Sequence, residues 1–435
     1  MEAVRSSYGF SDVGAKLTRA TGILELMDDL GRAMTIRPDM LMLGGGNPAH
    51  VPDMQALWRT QMDRLMADGD AFERLLANYN PPQGNPRFLT SFAEMLSREL
   101  DWPVTSDNVV VTSGEQSGLF FLFNLLAGHA DDRPAKRILL PMAPEYIGYA
   151  DQGLDEDLFV ALRPTIAWPH GEEARVFKYH LDLDAVADRL AQGDIAAVAV
   201  SRPCNPTGNV LDHDELIALT ELTARHGVLL IVDGAYGVPF PGIVFGEAEP
   251  YWAPHVIHTF SLSKLGLPGT RTGIVVGPKE IVSALASMVA IVGLANGNLG
   301  QQLVLPLVES GELLRCGPKI LRPFYTARSL AAQNALREHL EPTGVDWAMH
   351  ESQGAFFHWL WLRGLPMTTR ELYGRLKERG VLVVPGEYFF YGLDTPWAHQ
   401  DECLRISFAQ SPETVREGIR LLGEELCVSV QGSKW

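Results

Sequence analysis

Between residues 108 and 277 the chain repeats one alternation, and that alternation restricts the fold class. Short runs apolar at nearly every position, NVVVT (108–112), RILLP (137–141), IAAVAVSRP (195–203), VLLIVD (228–233), VIHTFSL (256–262) and GIVVG (273–277), are separated by helical patterns. GLFFLFNLLAG (118–128) reads as a buried helix, and DHDELIALTELTARHG (212–227) as a helix capped by Asp and stopped at Gly227. Strands apolar on both faces must be covered on both faces. The pattern therefore predicts an α/β fold, a large domain with a mostly parallel central sheet flanked by helices. The later chain changes character. A helical stretch near 318–340 precedes GAFFHWLWL (354–362), a helix over 368–380, VLVVPG (381–386), CLRISF (403–408) and a last helix from about Pro412. These predict a smaller α+β domain. The expected division is 1–55 as an N-terminal segment packing with the small domain, 56–315 as the large domain, and 316–435 as the small one.

Bulk properties narrow the function. A net charge of −17 argues against nucleic acid or an anionic membrane as partner, since both demand a basic face. The longest apolar run, IVSALASMVAIVGLA from Ile281, falls short of the ~20 residues a spanning helix needs. It reads as a buried helix. The N-terminus shows no apolar signal region. Cys204, Cys316, Cys403 and Cys427 lie far apart without a C-x-x-C, as expected of reduced thiols in a cytoplasmic protein and not of a metal site.

In open α/β sheets ligands lie beyond the carboxyl ends of the strands, so the residues there carry the functional argument. NVVVT is followed by Ser113, Gly114, Glu115, Gln116 and Ser117 at a strand-to-helix turn, whose N–H groups can face an anion. The same segment also reads as a plain tight turn. VAVSRP leads into Asn205 of CNPTGN, either a turn or an amide for a ligand. VLLIVD ends on Asp233, with Tyr236 three residues on. A carboxylate there needs a partner or caps the next turn. VIHTFSL leads into Ser261, Ser263 and Lys264, with Arg271 beyond. A buried lysine pairs with a carboxylate or loses its charge and becomes a nucleophile. Together these residues supply an anion cradle, a carboxylate, a phenol, an amide and an amine. Pyridoxal 5′-phosphate (PLP) uses all five: a cradle for its phosphate, an acid for its ring nitrogen, donors for its phenolic oxygen and an amine for its aldehyde.

The ordered set Y-x-x-P-Q-G (from Tyr79), S-G-x-Q (from Ser113), N-P-T-G (from Asn205), D-x-x-Y (from Asp233), S-x-S-K (from Ser261) and a late arginine resembles the fold-type I, class I/II aminotransferases. The similarity runs nearly end to end. It implies that Lys264 bonds the cofactor aldehyde and shuttles the substrate proton. It implies that Asp233 pairs with the ring nitrogen, and that Tyr236 and Asn205 bond the ring oxygen. Gly114, Glu115 through its backbone, Ser261 and Arg271 would hold the phosphate, with Ser113, Gln116 and Ser263 beside them. Tyr146 would stack on the ring. Tyr79 would reach the neighbouring subunit's cofactor, making a homodimer with shared active sites. Arg405 would clamp the substrate carboxylate, helped by Asn205 and the backbone near Gly45 and Gly46. Strand alternation independently places Arg405 between Cys403 and Ser407 on one face, where an arginine among small residues needs an anion. One departure stands out: six residues, LGLPGT, separate Lys264 from Arg271, one fewer than in many members, so this loop must take its own path.

The reaction so implied is ping-pong transamination between amino acids and 2-oxo acids. No second arginine occurs in 286–302 for a side-chain carboxylate. That suits alanine, valine or 2-aminobutyrate with pyruvate or 2-oxoisovalerate, over a broad aliphatic range. The rivals are a PLP-dependent lyase on the same scaffold, a PLP-binding regulatory domain, and a serine acyl enzyme using Ser261-Leu262-Ser263-Lys264. The last has its S-D-N (106–108) in the wrong order and lacks K-T-G.

Overall fold

The structure, a computed structural model, describes residues 9–37 and 39–432. Its larger sheet has eight strands. From one edge they run Val109–Thr112, Gly273–Val276, Val256–Ser261, Leu229–Asp233, Ile195–Ser201, Arg133–Leu140 and Gly128–Ala130, with Phe159–Ala161 also paired to Arg133–Leu140. The central pairings are parallel, as expected for strands buried on both faces. Gly273–Val276 is antiparallel to both neighbours, because it returns from Val256–Ser261 through a short connection and not through a helix.

A second sheet of six strands orders Val384–Pro385, Cys403–Ser407, Phe357–Arg363, Asp346–His350, Val176–His180 and Thr165–Ala167. The middle of the chain thus lends two strands to the sheet built mainly from its end. Leu41–Met42 pairs in parallel with Val381–Leu382, which ties the N-terminal segment to the C-terminal part. The helix Gly22–Ile36 is fastened there too: Arg370 meets Glu25 at 3.2 Å, and Tyr388 donates to Glu25 at 2.9 Å.

Three elements differ from the sequence reading. VLVVPG is two strands and not one: Val381–Leu382 serves the N-terminal pairing and Val384–Pro385 joins the six-stranded sheet. The helix expected over 118–128 starts earlier, at Glu115, because Gly114 adopts φ 87 and caps it at once. The run from Ile281 is not wholly buried. In the helix Lys279–Gly293, Val282, Leu285 and Val289 face the core, while Ile291 and Val292 remain 84% and 69% exposed. A helix apolar all round leaves one face without cover in a single chain. Among the described residues no helix is long and apolar enough to cross a membrane, and the four cysteines are free.

Candidate active site

Register fixes the floor of the site. Asp233 stands opposite Thr259 on one neighbouring strand and Ser201 on the other, so three polar groups stand in one row at or near the ends of three parallel apolar strands. Beyond this row opens a cavity of ≈ 820 Å³. It is lined by Gly45, Gly46, Glu115, Gln116 and Tyr146 among the expected residues. Asn205, Asp233, Tyr236, Ser261, Ser263, Lys264, Arg271 and Arg405 line it as well.

Lys264 enters from the 3₁₀ turn Ser263–Leu265 just past the strand Val256–Ser261. Its Nζ donates to the Gly46 carbonyl at 2.7 Å and lies 5.1 Å from the centre of the Tyr236 ring and 5.4 Å from that of Phe356. Burial pushes the amine down to about 8; the carboxyls of Glu115 and Asp233 oppose that, and the cations of Arg405 and Arg271 add to it. The stretch from Ser263 to Thr270 forms two 3₁₀ turns, Ser263–Leu265 and Pro268–Thr270, and delivers Arg271 in the left-handed region at φ 46.

Asp233 is buried. Its Oδ1 accepts from the Ala235 N–H at 2.9 Å, and its Oδ2 accepts from the Tyr149 hydroxyl. Burial raises its pKa, while those donors and Lys264 pull the other way. Arg271 lies against Gly114, where a Cβ would collide with the guanidinium, and a Cβ on Gly273 would strike the Glu115 backbone. Only glycine at these two points lets the cation approach the first turn of the helix Glu115–Leu126.

Arg405 sits mid-strand opposite Trp359 and Val384 and is 2% exposed. Its guanidinium donates to Asn205 Oδ1 at 2.6 Å and to the Gly44 carbonyl at 2.7 Å, and it lies 4.3 Å from the Phe357 ring centre. Its Nε has no hydrogen-bond partner, and it pairs with no carboxylate among the described residues. Burial lowers its pKa to about 10.

Several expected residues have partners within the protein, and Ser113, Gly114 and Tyr79 lie outside the cavity lining. The Ser113 hydroxyl turns to Asn296 Oδ1 at 3.0 Å. Gln116 spends its amide on the Gly148 carbonyl at 2.8 Å, bracing the turn that carries Tyr146. Ser261 Oγ accepts from the Ser263 N–H at 3.1 Å. Tyr79 does not line this cavity and is 84% exposed. Tyr146, whose ring stands edge-on to Tyr149 at 5.2 Å, does line it.

Sequence reasoning missed four contributions. Tyr149, fully buried, is the second tyrosine of PEYIGY, and its position three residues past Tyr146 was the only signal. The Glu115 side chain points inward, accepting from Thr259 Oγ1 at 2.6 Å. Ile23, Leu26 and Met27 of the helix Gly22–Ile36 form an apolar wall, and Arg328 lines the cavity with Nη1 donating to the Ala409 carbonyl at 2.7 Å. The last two come from segments whose sequence carries no motif.

Comparison with known proteins agrees with this architecture. Residues 158–422 match the family model described as aminotransferase class I and II. The chain is 44% identical over 418 residues to the valine–pyruvate aminotransferase of Escherichia coli (strain K12), covering 96% of this chain and 98% of that one. It superposes on the crystal structure of valine-pyruvate aminotransferase from Salmonella typhimurium LT2 with a TM-score of 0.84 and 41% identity, over 94% of this chain and all of that one. An aspartate aminotransferase of Thermus thermophilus shares the fold at TM-score 0.75 and 24% identity, over 96% of this chain and all of that one. A match of this breadth across family, sequence and structure makes the chain a member of the class I and II aminotransferases, a PLP-dependent transaminase.

Proposed function

We propose that this transaminase exchanges amino groups between small aliphatic amino acids and 2-oxo acids, with alanine and valine, pyruvate and 2-oxoisovalerate as its substrates. The observation that carries it is Arg405: a buried cation with no carboxylate partner and an orphaned Nε, beside the cavity's amine, is matched by the α-carboxylate of an amino acid. The two bacterial relatives named for valine and pyruvate support the choice of substrate. So does the apolar wall of Ile23, Leu26 and Met27.

The residues also fit PLP. The glycine-lined contact between Gly114 and Arg271 leaves a cation and first-turn N–H groups for a phosphate, and Asp233 offers an acid for the ring nitrogen. Lys264 is the amine for the aldehyde, Tyr236 and Asn205 are for the ring oxygen, and Tyr146 is for the ring face. Bound PLP supplies an aldehyde that takes up the amino group and a ring that draws off the electrons left when Cα loses its proton. The chain's own residues do the rest. Lys264 Nζ, with its proton affinity lowered, takes the Cα proton and returns it on the other side of the exchange. Arg405 fixes the carboxylate, so that the Cα–H faces Nζ. Asp233, kept charged by Tyr149 and the Ala235 N–H, holds a proton at the ring nitrogen.

Tyr79, Ile291 and Val292 give the chain an exposed apolar surface that a second copy would cover, so the working unit is a homodimer. Each chain divides into 1–55, 56–315 and 316–435, with Thr165–Ala167 and Val176–His180 of the middle part lent to the sheet of the last, and free thiols with a net charge of −17 suit the cytoplasm. A second reading attaches to Arg328, whose place in the cavity lining offers a cation to a dicarboxylate such as glutamate. A panel of amino and 2-oxo acids against the purified holoenzyme tests both. Alanine and valine should convert the bound cofactor to its amine form. Turnover of glutamate alone, abolished in Arg328→Leu, would replace the aliphatic reading, and ammonia release would mark a lyase.

A further inference from the structure

Glu115 opens the helix Glu115–Leu126, yet its carboxyl is buried in the cavity floor beside a second acid. The register that sets Thr259 opposite Asp233 brings the Thr259 hydroxyl to Glu115 Oε1 at 2.6 Å. The Glu115 carboxyl also lies within hydrogen-bonding reach of Asp233. Two carboxylates cannot share such a contact while both are charged, so one must carry the proton. The donors decide which. Asp233 already accepts from Tyr149 and Ala235, which favours its charged form. Glu115 accepts from one neutral hydroxyl alone, and accepting there at Oε1 leaves its other oxygen to hold the proton.

We propose that Glu115 is a neutral acid that donates its proton in a hydrogen bond to Asp233, a positioning residue that keeps Asp233 charged toward the cofactor's ring nitrogen. This rests on the reading of Asp233 as the ring's acid. Burial, then the charge of Asp233, raise the Glu115 pKa, in keeping with a neutral group. Neutrality matters a second time. The Glu115 backbone begins the helix whose first turn, with Arg271, is the cavity's anion-binding end, and a charged side chain there would oppose a phosphate. The other groups acting on this corner are Lys264, Tyr146 and Arg271, with Tyr149 and Glu145 acting through Asp233.

The test measures PLP affinity of the apoprotein against pH in the natural protein and in Glu115→Gln, whose amide can still donate to Asp233. Near neutral pH the two should agree within about twofold. Once the pH passes the raised pKa of Glu115, the natural protein should lose affinity relative to Glu115→Gln by up to about tenfold per pH unit. Lys264, Tyr146, Tyr149, Glu145 and Arg271 are common to both and cancel in the ratio. Thr259→Val, which removes the donor to Glu115, should shift that loss to higher pH. A second readout is the ring-nitrogen signal of ¹⁵N-labelled PLP in the holoenzyme. Glu115→Leu, which cannot donate, should move it toward unprotonated pyridine, and Glu115→Gln should not. A ratio constant with pH, or a signal unmoved by Glu115→Leu while Asp233→Asn moves it, overturns the role of Glu115. A signal that ignores Asp233→Asn overturns the underlying assignment of Asp233, and this role with it.

Discussion

The two ends of the cavity are built in different ways. At one end Asp233, Thr259 and Ser201 stand in register on three hydrogen-bonded strands of one sheet, and their spacing is set by the ladder itself. At the other, Arg405 belongs to a different sheet and meets Asn205 from the first sheet's loops and Gly44 from the N-terminal segment. Those partners are 200 and 361 residues away in sequence. The first end is stiff because a sheet is stiff. The second is an assembly of three chain segments, held by the pairing of Leu41–Met42 with Val381–Leu382 and by the bonds from Arg370 and Tyr388 to Glu25. Cofactor chemistry needs one fixed geometry, whereas substrates differ in size, and the division of labour matches that need.

Four measurements press on this contrast. Lys264 joins the two ends, and Lys264→Ala should lower transamination by roughly 10³-fold or more while leaving no borohydride-stable link to PLP. Retained turnover would place the reactive amine elsewhere. Arg405→Ala should lower kcat/KM for alanine by roughly 10²-fold to 10³-fold, with the absorption of the bound cofactor unchanged. A variant that loses PLP but binds amino acid normally would mean that the two ends are not separate. Tyr149→Phe removes a charge-assisted donor worth about 1.5–3 kcal/mol to Asp233, so cofactor affinity should fall roughly tenfold to a hundredfold with little change in amino-acid preference. The reverse pattern would put Tyr149 on the substrate side. Met27→Ala should alter only the ratio of valine to alanine turnover, by roughly threefold to tenfold, since it trims the apolar wall. An equal loss for both substrates would show the helix Gly22–Ile36 acting on structure alone.

Legibility in the sequence follows the same division. Asp233, Asn205 and Lys264 could be read because each follows an apolar strand, and strand ends are where α/β sheets place ligands. The side chains of Glu115 and Tyr149 could not. Their roles arise from register and from a helix start, both of which bring together residues 84 to 144 positions apart. Arg405 could be read from alternation within CLRISF, but not its grip on Gly44. VLVVPG looked like one strand because four apolar residues in a row before Pro-Gly do not reveal that they serve two sheets. The exposed end of Lys279–Gly293 misled for a related reason: apolar character records burial without saying whether the cover comes from the same chain.

One short loop ties both ends together. The carbonyl of Gly44 accepts from Arg405, and that of Gly46 accepts from Lys264. On the proposed reading an amino acid brings a negative carboxylate to the first cation, and the cofactor's aldehyde meets the second. Each arrival replaces a neutral dipole that already occupies that donor, and recognition becomes a trade of partners. The net binding strength is then a difference between two sets of hydrogen bonds, and a change in the backbone of this glycine stretch would alter substrate affinity without touching any charged group.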